Sequence, residues 1–395
     1  MGNVFEVTPL RWAHGGEAVG RVDGKTVFVP DVLPGERARV RVVLDKPSWS
    51  RAELLEVVEA SPDRVSPPCG VFGSCGGCQW QHVDYAAQAL AKQQVVSGQL
   101  QHLGGMADPP VRQTVSPGSP FGYRNRMTFS VEGGSPAMYR RRSRDHVSVP
   151  ECLLLVPQLA DLYSRLGDMQ GVSEFTLRAG TRTGDTLVLI QGQVPPQASS
   201  WGAAVMRRSR PVIGRPYLHE EVAGVRLRVS GRSFFQVNTD GAEALVGLVT
   251  EALEPRADET LLDGYAGAGL FSATIGRDAG RVVAVESEKR TVADLVKNLK
   301  GTTSQIVQAR FEEGVDARWD VAVVDPPRAG LGPRGVEVVT SPRPRAVAYV
   351  SCDPASLARD VRHFEEAGYE CRWVTPVDMF PQTFHVESVA AFARP

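Results

Sequence analysis

The hydrophobic positions of the chain change their period three times, and each change marks a unit. Over residues 1–60 they alternate with polar positions in short runs: Lys25-Thr26-Val27-Phe28-Val29, Arg37-Ala38-Arg39-Val40-Arg41-Val42 and Ala52-Glu53-Leu54-Leu55-Glu56-Val57-Val58. Gly15, Gly16, Gly20 and Gly24 punctuate them. A period of two broken by glycine predicts short strands, and arginine on their polar face suits a small barrel of the oligonucleotide-binding kind. Pro62, Pro67 and Pro68 make a linker. From Asp84 the period becomes helical and runs from Tyr85 to Leu103, with Asp84 as cap and Gly104-Gly105 as stop. Residues 113–233 return to β patterns, such as Tyr123 to Val131 and Leu187-Val188-Leu189-Ile190-Gln191, with a loop at Pro195 to Ser200.

After Phe234-Phe235-Gln236-Val237-Asn238, apolar runs alternate with helical stretches, which predicts an α/β unit built on a parallel sheet. Thr260 to Asp263 reads as a strand, Gly264-Tyr265-Ala266-Gly267-Ala268-Gly269 as a turn, Leu270 to Arg277 as a helix. The next strand, Arg281 to Glu286, ends in an acid 23 positions after Asp263. Glycines let the backbone approach a nucleoside, and an acid at the end of the second strand accepts ribose hydroxyls. The chain has no Walker-type lysine, and Gly267-Ala268-Gly269 is too short for a dinucleotide fingerprint. An adenosine ligand such as S-adenosylmethionine fits better than NAD. A third strand, Asp320 to Val324, ends in Asp325-Pro326-Pro327-Arg328, whose prolines hold Asp325 at the crevice beyond the sheet. A fourth, Ala346 to Val350, ends in Ser351-Cys352-Asp353-Pro354. A thiol where Pro354 stops the ladder points out of the sheet, into the place where such folds bind ligands. The competing reading is an inert buried thiol, the usual fate of a free cysteine. Met379 to Ser388 leads into an edge strand from Val389 to Ala393.

With 395 residues and 42% hydrophobic content, the chain should hold two or three cored domains. No apolar run approaches the ~20 residues of a membrane span, and Met1 to Leu10 lacks the order of a signal peptide. A cytoplasmic location is expected. A net charge of −1 gives the whole molecule no field for nucleic acid. Arg37, Arg39 and Arg41, Arg124 and Arg126, and Arg140, Arg141, Arg142 and Arg144 are local exceptions, although each also reads as a solvated face. Arginine alternating with aromatics in Tyr123 to Val131 suits an RNA-contacting sheet and equally an amphipathic core strand. Six cysteines in a reducing compartment argue for metal or catalysis over disulfides. Cys69, Cys75 and Cys78, with five and then two residues between them on a glycine-rich loop, are spaced for a metal centre, and Cys152 is the best fourth ligand. Zinc could use the same four. The radical-SAM spacing of three and then two is not present in this loop.

Phe234 to Asn238, Asp263 to Ser272, Asp325 to Arg328, Ser351 to Pro354 and His385-Val386-Glu387-Ser388 together resemble the RNA uracil-5 methyltransferase family. The cysteine loop at 69–78 and the N-terminal barrel, similar to a TRAM domain, resemble its iron–sulfur members. One departure is Ala266, where the family usually has cysteine; the position lines the cofactor turn and is not the nucleophile. The resemblance implies a Rossmann-like class I methyltransferase domain with a mostly parallel seven-stranded sheet, an N-terminal barrel and a central β-rich α+β domain. The corresponding boundaries are 1–60 for the barrel, 61–82 with 113–233 for the central domain, and 83–112 with 234–395 for the methyltransferase. It further implies a 4Fe-4S cluster on Cys69, Cys75, Cys78 and Cys152, and S-adenosylmethionine contacts at Gln236, Tyr265, Glu286 and Asp325. Cys352 would be the nucleophile and Glu387 the base, acting on a uridine flipped out of a loop in 23S rRNA or tRNA. The cluster is expected to order its surroundings without redox turnover. Cys371 matches no motif and reads as a core thiol. The alternatives are an amino-group or cytosine methyltransferase, which Asp325-Pro326-Pro327 also suits, and an iron–sulfur RNA-binding protein without catalysis.

Overall fold

Three large sheets and one hairpin carry the chain in a computed structural model that describes residues 3–395; Met1 and Gly2 of the expected barrel lie outside the described residues. The first sheet has six strands in the order Val4–Val7, Arg37–Asp45, Trp49–Glu59, Lys25–Val29, Ala18–Val22, Arg11–Trp12. Its alternation sends Val27, Val29, Ala38, Val40 and Ala52 into one core. The polar face is less basic than the sequence suggests. Arg39 pairs with Glu56 at 2.6 Å and Arg41 with Glu53 at 3.1 Å across neighbouring strands, while Arg37 reaches Glu6 and Glu59. Arg141 and Arg142 bridge to Asp31 (2.6 Å) and Glu17 (2.5 Å) of the barrel. These arginines, read as a local argument for nucleic acid, are neutralised by carboxylates, and two of them join the barrel to the central sheet.

The central sheet has seven strands, from Arg210–Ile213 at one edge to His146–Ser148 at the other. Met127 and Phe129 of the strand Arg126–Glu132 enter its core, with Phe175, Leu177 and the helix Pro157–Ser164. Arg126 and Thr128 alternate onto the opposite face, so the arginine–aromatic pattern is that of an amphipathic strand whose aromatics are buried. The expected loop at Pro195 to Ser200 is largely one 3₁₀ turn, Pro196–Ser200. The hairpin Tyr217–Val222 and Val225–Ser230 packs on the helix Thr239–Leu253 and joins the core of the next domain. Arg178, buried, donates to the carbonyls of Ser230, Gly231 and Ser233, each at 2.9 Å, and so fixes the chain just before Phe234.

The last sheet runs Ser304–Val307, Arg281–Val285, Thr260–Gly264, Val321–Val324, Ala346–Ser351, Glu387–Ala393, Glu370–Val377. The first five are parallel, and Glu387–Ala393 runs against both its neighbours. The expected edge strand is therefore not at the edge. It is inserted beside Ala346–Ser351, buried from Glu387 to Phe392, while Glu370–Val377 takes the edge and carries the exposed Glu370 and Arg372. The expected helix from Leu270 to Arg277 is one α-turn, Leu270–Thr274, continued as a 3₁₀ turn. A Cβ on Gly276 would lie 2.6 Å from Val282 Cγ2, so helix and strand meet too closely there for any larger residue. The helix Tyr85–His102, capped by Asp84 at 2.9 Å, packs on the helix Pro354–Glu366 of this last domain.

Candidate active site

The strand order reverses between Thr260–Gly264 and Val321–Val324, and in open α/β sheets that switch opens a crevice beyond the carboxyl ends. Gly264-to-Gly269 leaves the first of these strands and Asp325 ends the second. Because Glu387–Ala393 is reversed, its first residue lies at this same end: Ser388 pairs with Ser351, which sets Glu387 beside Cys352. A cavity of about 910 Å³ results. Gln236, Tyr265, Glu286, Asp325, Cys352 and Glu387 all line it. Its opposite wall is the polar face of the central sheet, where Thr128 Oγ1 and Thr176 Oγ1 are 2.8 Å apart.

The turn is held by its own acid. Tyr265, Gly267 and Gly269 all have positive φ, and a Cβ on Gly269 would lie 2.8 Å from Leu295 Cδ1. Glu286 accepts from the Gly267 N–H at 3.0 Å and from the Glu288 N–H at 2.7 Å. Tyr265 donates to Glu312 at 2.7 Å, its ring 5.1 Å from that of Phe311. Beneath the turn Asp263 accepts from the Ser272 N–H and hydroxyl at 2.8 and 2.5 Å, and its other oxygen has no partner. Gln236 Nε2 donates to Asp325 at 3.4 Å.

Acids crowd this end of the sheet. Burial, with the neighbouring Asp263, pushes Asp325 up to about 7. Burial also raises Glu387 well above the usual carboxylate range, Asp325 adding to the rise and Arg328 opposing it. Cys352 is pushed up to about 12, by burial first, then by Glu387 and Asp325, again against Arg328. The cleft thus favours one more positive charge near Asp325 and Cys352. His385, also on the wall, is pushed down to about 4 by burial and nearby cations, so its imidazole is neutral.

Sequence reasoning missed the supports of the loop that delivers Glu387. Lys92 and Asp378 are both fully buried and 2.5 Å apart, and Lys92 also donates to the Phe380 carbonyl at 3.1 Å. Tyr123 donates to Pro381 O, and the N–H groups of Gln79 and Trp80 to Gln382 O, all at 3.0 Å. A lysine in an amphipathic helix carries no sequence mark of such a partner.

Cys69, Cys75, Cys78 and Cys152 line one small pocket with Met127, Met138 and Val149. Among the described residues no group of three or more His, Cys, Asp or Glu side chains is placed to hold a metal ion. Burial raises Cys75, Cys78 and Cys152, and each is raised further by other thiols of the set. Cys371 packs against the core of the last sheet, pushed up to about 12 by burial. No helix among the described residues is long and apolar enough to cross a membrane.

Comparison with known proteins agrees with this geometry. The TRAM domain profile matches residues 2–55, and the tRNA (Uracil-5-)-methyltransferase profile matches residues 314–394. RNA methyltransferases of Gloeobacter violaceus and Streptomyces avermitilis are each 34% identical, over 100% and 99% of this chain and 97% and 98% of their own lengths. The crystal structure of the Pyrococcus abyssi tRNA (uracil-54, C5)-methyltransferase, in complex with S-adenosyl-L-homocysteine, superposes with a TM-score of 0.79 at 25% identity, covering 98% of this chain and 99% of that one. The chain belongs to the RNA methyltransferases of the uracil-5 family, which depend on S-adenosylmethionine, and it carries a TRAM domain at its N-terminus.

Proposed function

We propose that the protein methylates carbon 5 of a flipped-out uridine in ribosomal or transfer RNA, through a bond between Cys352 and carbon 6 of the base. The observation that carries this is the reversed strand, which brings a buried carboxyl to the thiol's end of the sheet. Carbon 5 of uracil is a weak nucleophile. Addition of the Cys352 thiolate to carbon 6 turns the ring into an enolate whose carbon 5 can attack a methyl group. Glu387 then takes the proton from carbon 5, the carbon–sulfur bond breaks, and the thiolate leaves. When bound, S-adenosylmethionine supplies the methyl group and a positive charge at its sulfur. Gln236, Tyr265, Glu286 and Asp325 would hold it, and an ionised Asp325 faces that charge. Arg328 beside Cys352 favours the thiolate. A base must leave its stack to enter such a cleft, which favours RNA loops.

Cys69, Cys75, Cys78 and Cys152 would hold a 4Fe-4S cluster: what supports this is that the four thiols line one pocket, three of them from one short glycine-rich loop. The cluster would add positive charge beside the buried thiols and order the loop between barrel and central sheet. A cytoplasmic place is consistent with an RNA-modifying enzyme. Nucleoside mass spectrometry of rRNA and tRNA from cells lacking the protein tests the reading: loss of one 5-methyluridine supports it, and an unchanged content in both RNAs overturns it. The runner-up, an amino-group methyltransferase, needs no thiol and predicts full activity after Cys352→Ala.

A further inference from the structure

The barrel meets the catalytic loops through one turn, residues 13–17. Gly16 has a φ of +80°, and a Cβ there would lie 2.5 Å from Phe384 Cβ. Its carbonyl accepts from Trp80 Nε1 at 3.1 Å, and Phe384 packs against the barrel's own core. Two residues earlier, His14 Nε2 is 3.3 Å from Asp353 Oδ2. Phe384 and Asp353 each adjoin a residue of the cavity wall, His385 and Cys352. A turn of the RNA-binding module therefore rests on both loops that present the reacting groups.

Asp353 is used on both sides. Its Oδ1 accepts from the Ser356 N–H at 2.8 Å, capping the helix Pro354–Glu366, which leaves Oδ2 for His14. Ser356 Oγ lies 2.8 Å from that Oδ1 and 2.5 Å from the carbonyl of Arg328. The path from barrel to cleft is thus His14, Asp353, Ser356 and the backbone of Arg328, the residue whose side chain opposes the acids around Cys352. A cap residue can hold its helix without a second partner. His14 places a ring nitrogen beside the carboxylate one residue from the nucleophile.

We propose that His14 is a positioning residue, through which the barrel sets the placement of the Cys352 loop against Arg328 and so the rate of bond formation to the base. The barrel then contributes to turnover as well as to RNA affinity. The inference rests on Cys352 being the nucleophile.

The test uses the full-length protein as isolated without oxygen, labelled S-adenosylmethionine, and total RNA from cells lacking the protein. His14→Ala should lower kcat about tenfold, as small misplacements near reacting atoms do, with the KM and affinity for RNA within about twofold and the melting temperature unchanged. His14→Gln, which keeps a donor toward Asp353, should recover roughly half of the lost rate. Gly16→Ala, which displaces Phe384, should also lower kcat. A wild-type kcat in His14→Ala beside an inactive Cys352→Ala overturns this inference alone, as does a loss confined to KM and RNA affinity, or equal impairment in the Ala and Gln variants. Full activity of Cys352→Ala overturns the nucleophile and this inference with it.

Discussion

Cys78 and Cys352 are both pushed up to about 12, chiefly by burial, yet their further neighbours differ in kind. Around Cys78 the other groups that raise it are thiols: Cys152, Cys75 and Cys69. Around Cys352 they are carboxyls, Glu387 and Asp325, with Arg328 opposing. Burial alone therefore does not tell a proposed cluster thiol from a proposed nucleophile, because it raises both. The neighbours do. Several thiols that share only Arg124, which acts on Cys152, gain most from a multivalent inorganic centre, which lets all of them ionise together. One thiol between acids and an arginine gains from a single charge that comes and goes, as a methyl donor does.

The largest expected effect removes the second kind of thiol. Cys352→Ala should lower methyl transfer by at least about 10³-fold, as loss of a covalent nucleophile does, and should leave no covalent adduct with RNA carrying 5-fluorouridine. Binding of S-adenosylmethionine, measured by calorimetry, should persist. An active alanine variant would make Cys352 no more chemical than Cys371.

Glu387→Gln sharpens the contrast between addition and elimination. The base is needed only after the methyl group has moved, so turnover should fall about 10²-fold or more while the Cys352 adduct with ordinary RNA accumulates. Denaturing gels resolve that species. A variant that loses turnover without accumulating adduct would place Glu387 before bond formation.

The third effect is about tenfold. Burial, with the neighbouring Asp263, pushes Asp325 up to about 7, so its carboxyl should pass from protonated to ionised as the pH rises through neutrality. An ionised carboxylate attracts the cationic donor, so the dissociation constant for S-adenosylmethionine should fall by up to about tenfold across that rise and flatten above it. Asp325→Asn should bind more weakly at pH 8 and lose the slope. A flat profile for the unaltered protein would mean that Asp325 does not face the positive charge.

The cleft was more legible than its supports. Glycines after Asp263, the acid of Glu286, and Cys352 before Pro354 are local features of strand ends, and a sheet with a switch point brings strand ends together. The insertion of Glu387–Ala393 was not legible, since a strand buried on both faces and an apolar edge strand share one pattern. The error mattered, because it is the reversal of this strand that carries Glu387 to Cys352. Arg39 and Arg41 misled for a related reason: the glutamates that neutralise them lie on the next strand, 17 and 12 positions away in the chain, where only register makes them neighbours. Lys92 and Asp378, 286 positions apart, are the extreme case.

The smallest effect on the donor site should come from the first kind of thiol. Cys152→Ser removes one of four thiols from the pocket beneath the central sheet. Iron and sulfide content should fall, and the melting temperature with it by about 5 °C, equivalent to roughly 2 kcal/mol in a domain of this size. The pocket shares no lining residue with the catalytic cavity, so the affinity for S-adenosylmethionine should change less than about twofold. One route for coupling runs through Gln79 and Trp80, whose N–H groups follow Cys78 and grip Gln382. A Cys152→Ser protein that melts as before and keeps its iron would remove the metal from the comparison. One that loses donor affinity in proportion to its iron would merge the two sites into a single unit, with the grip on Gln382 as the link between them.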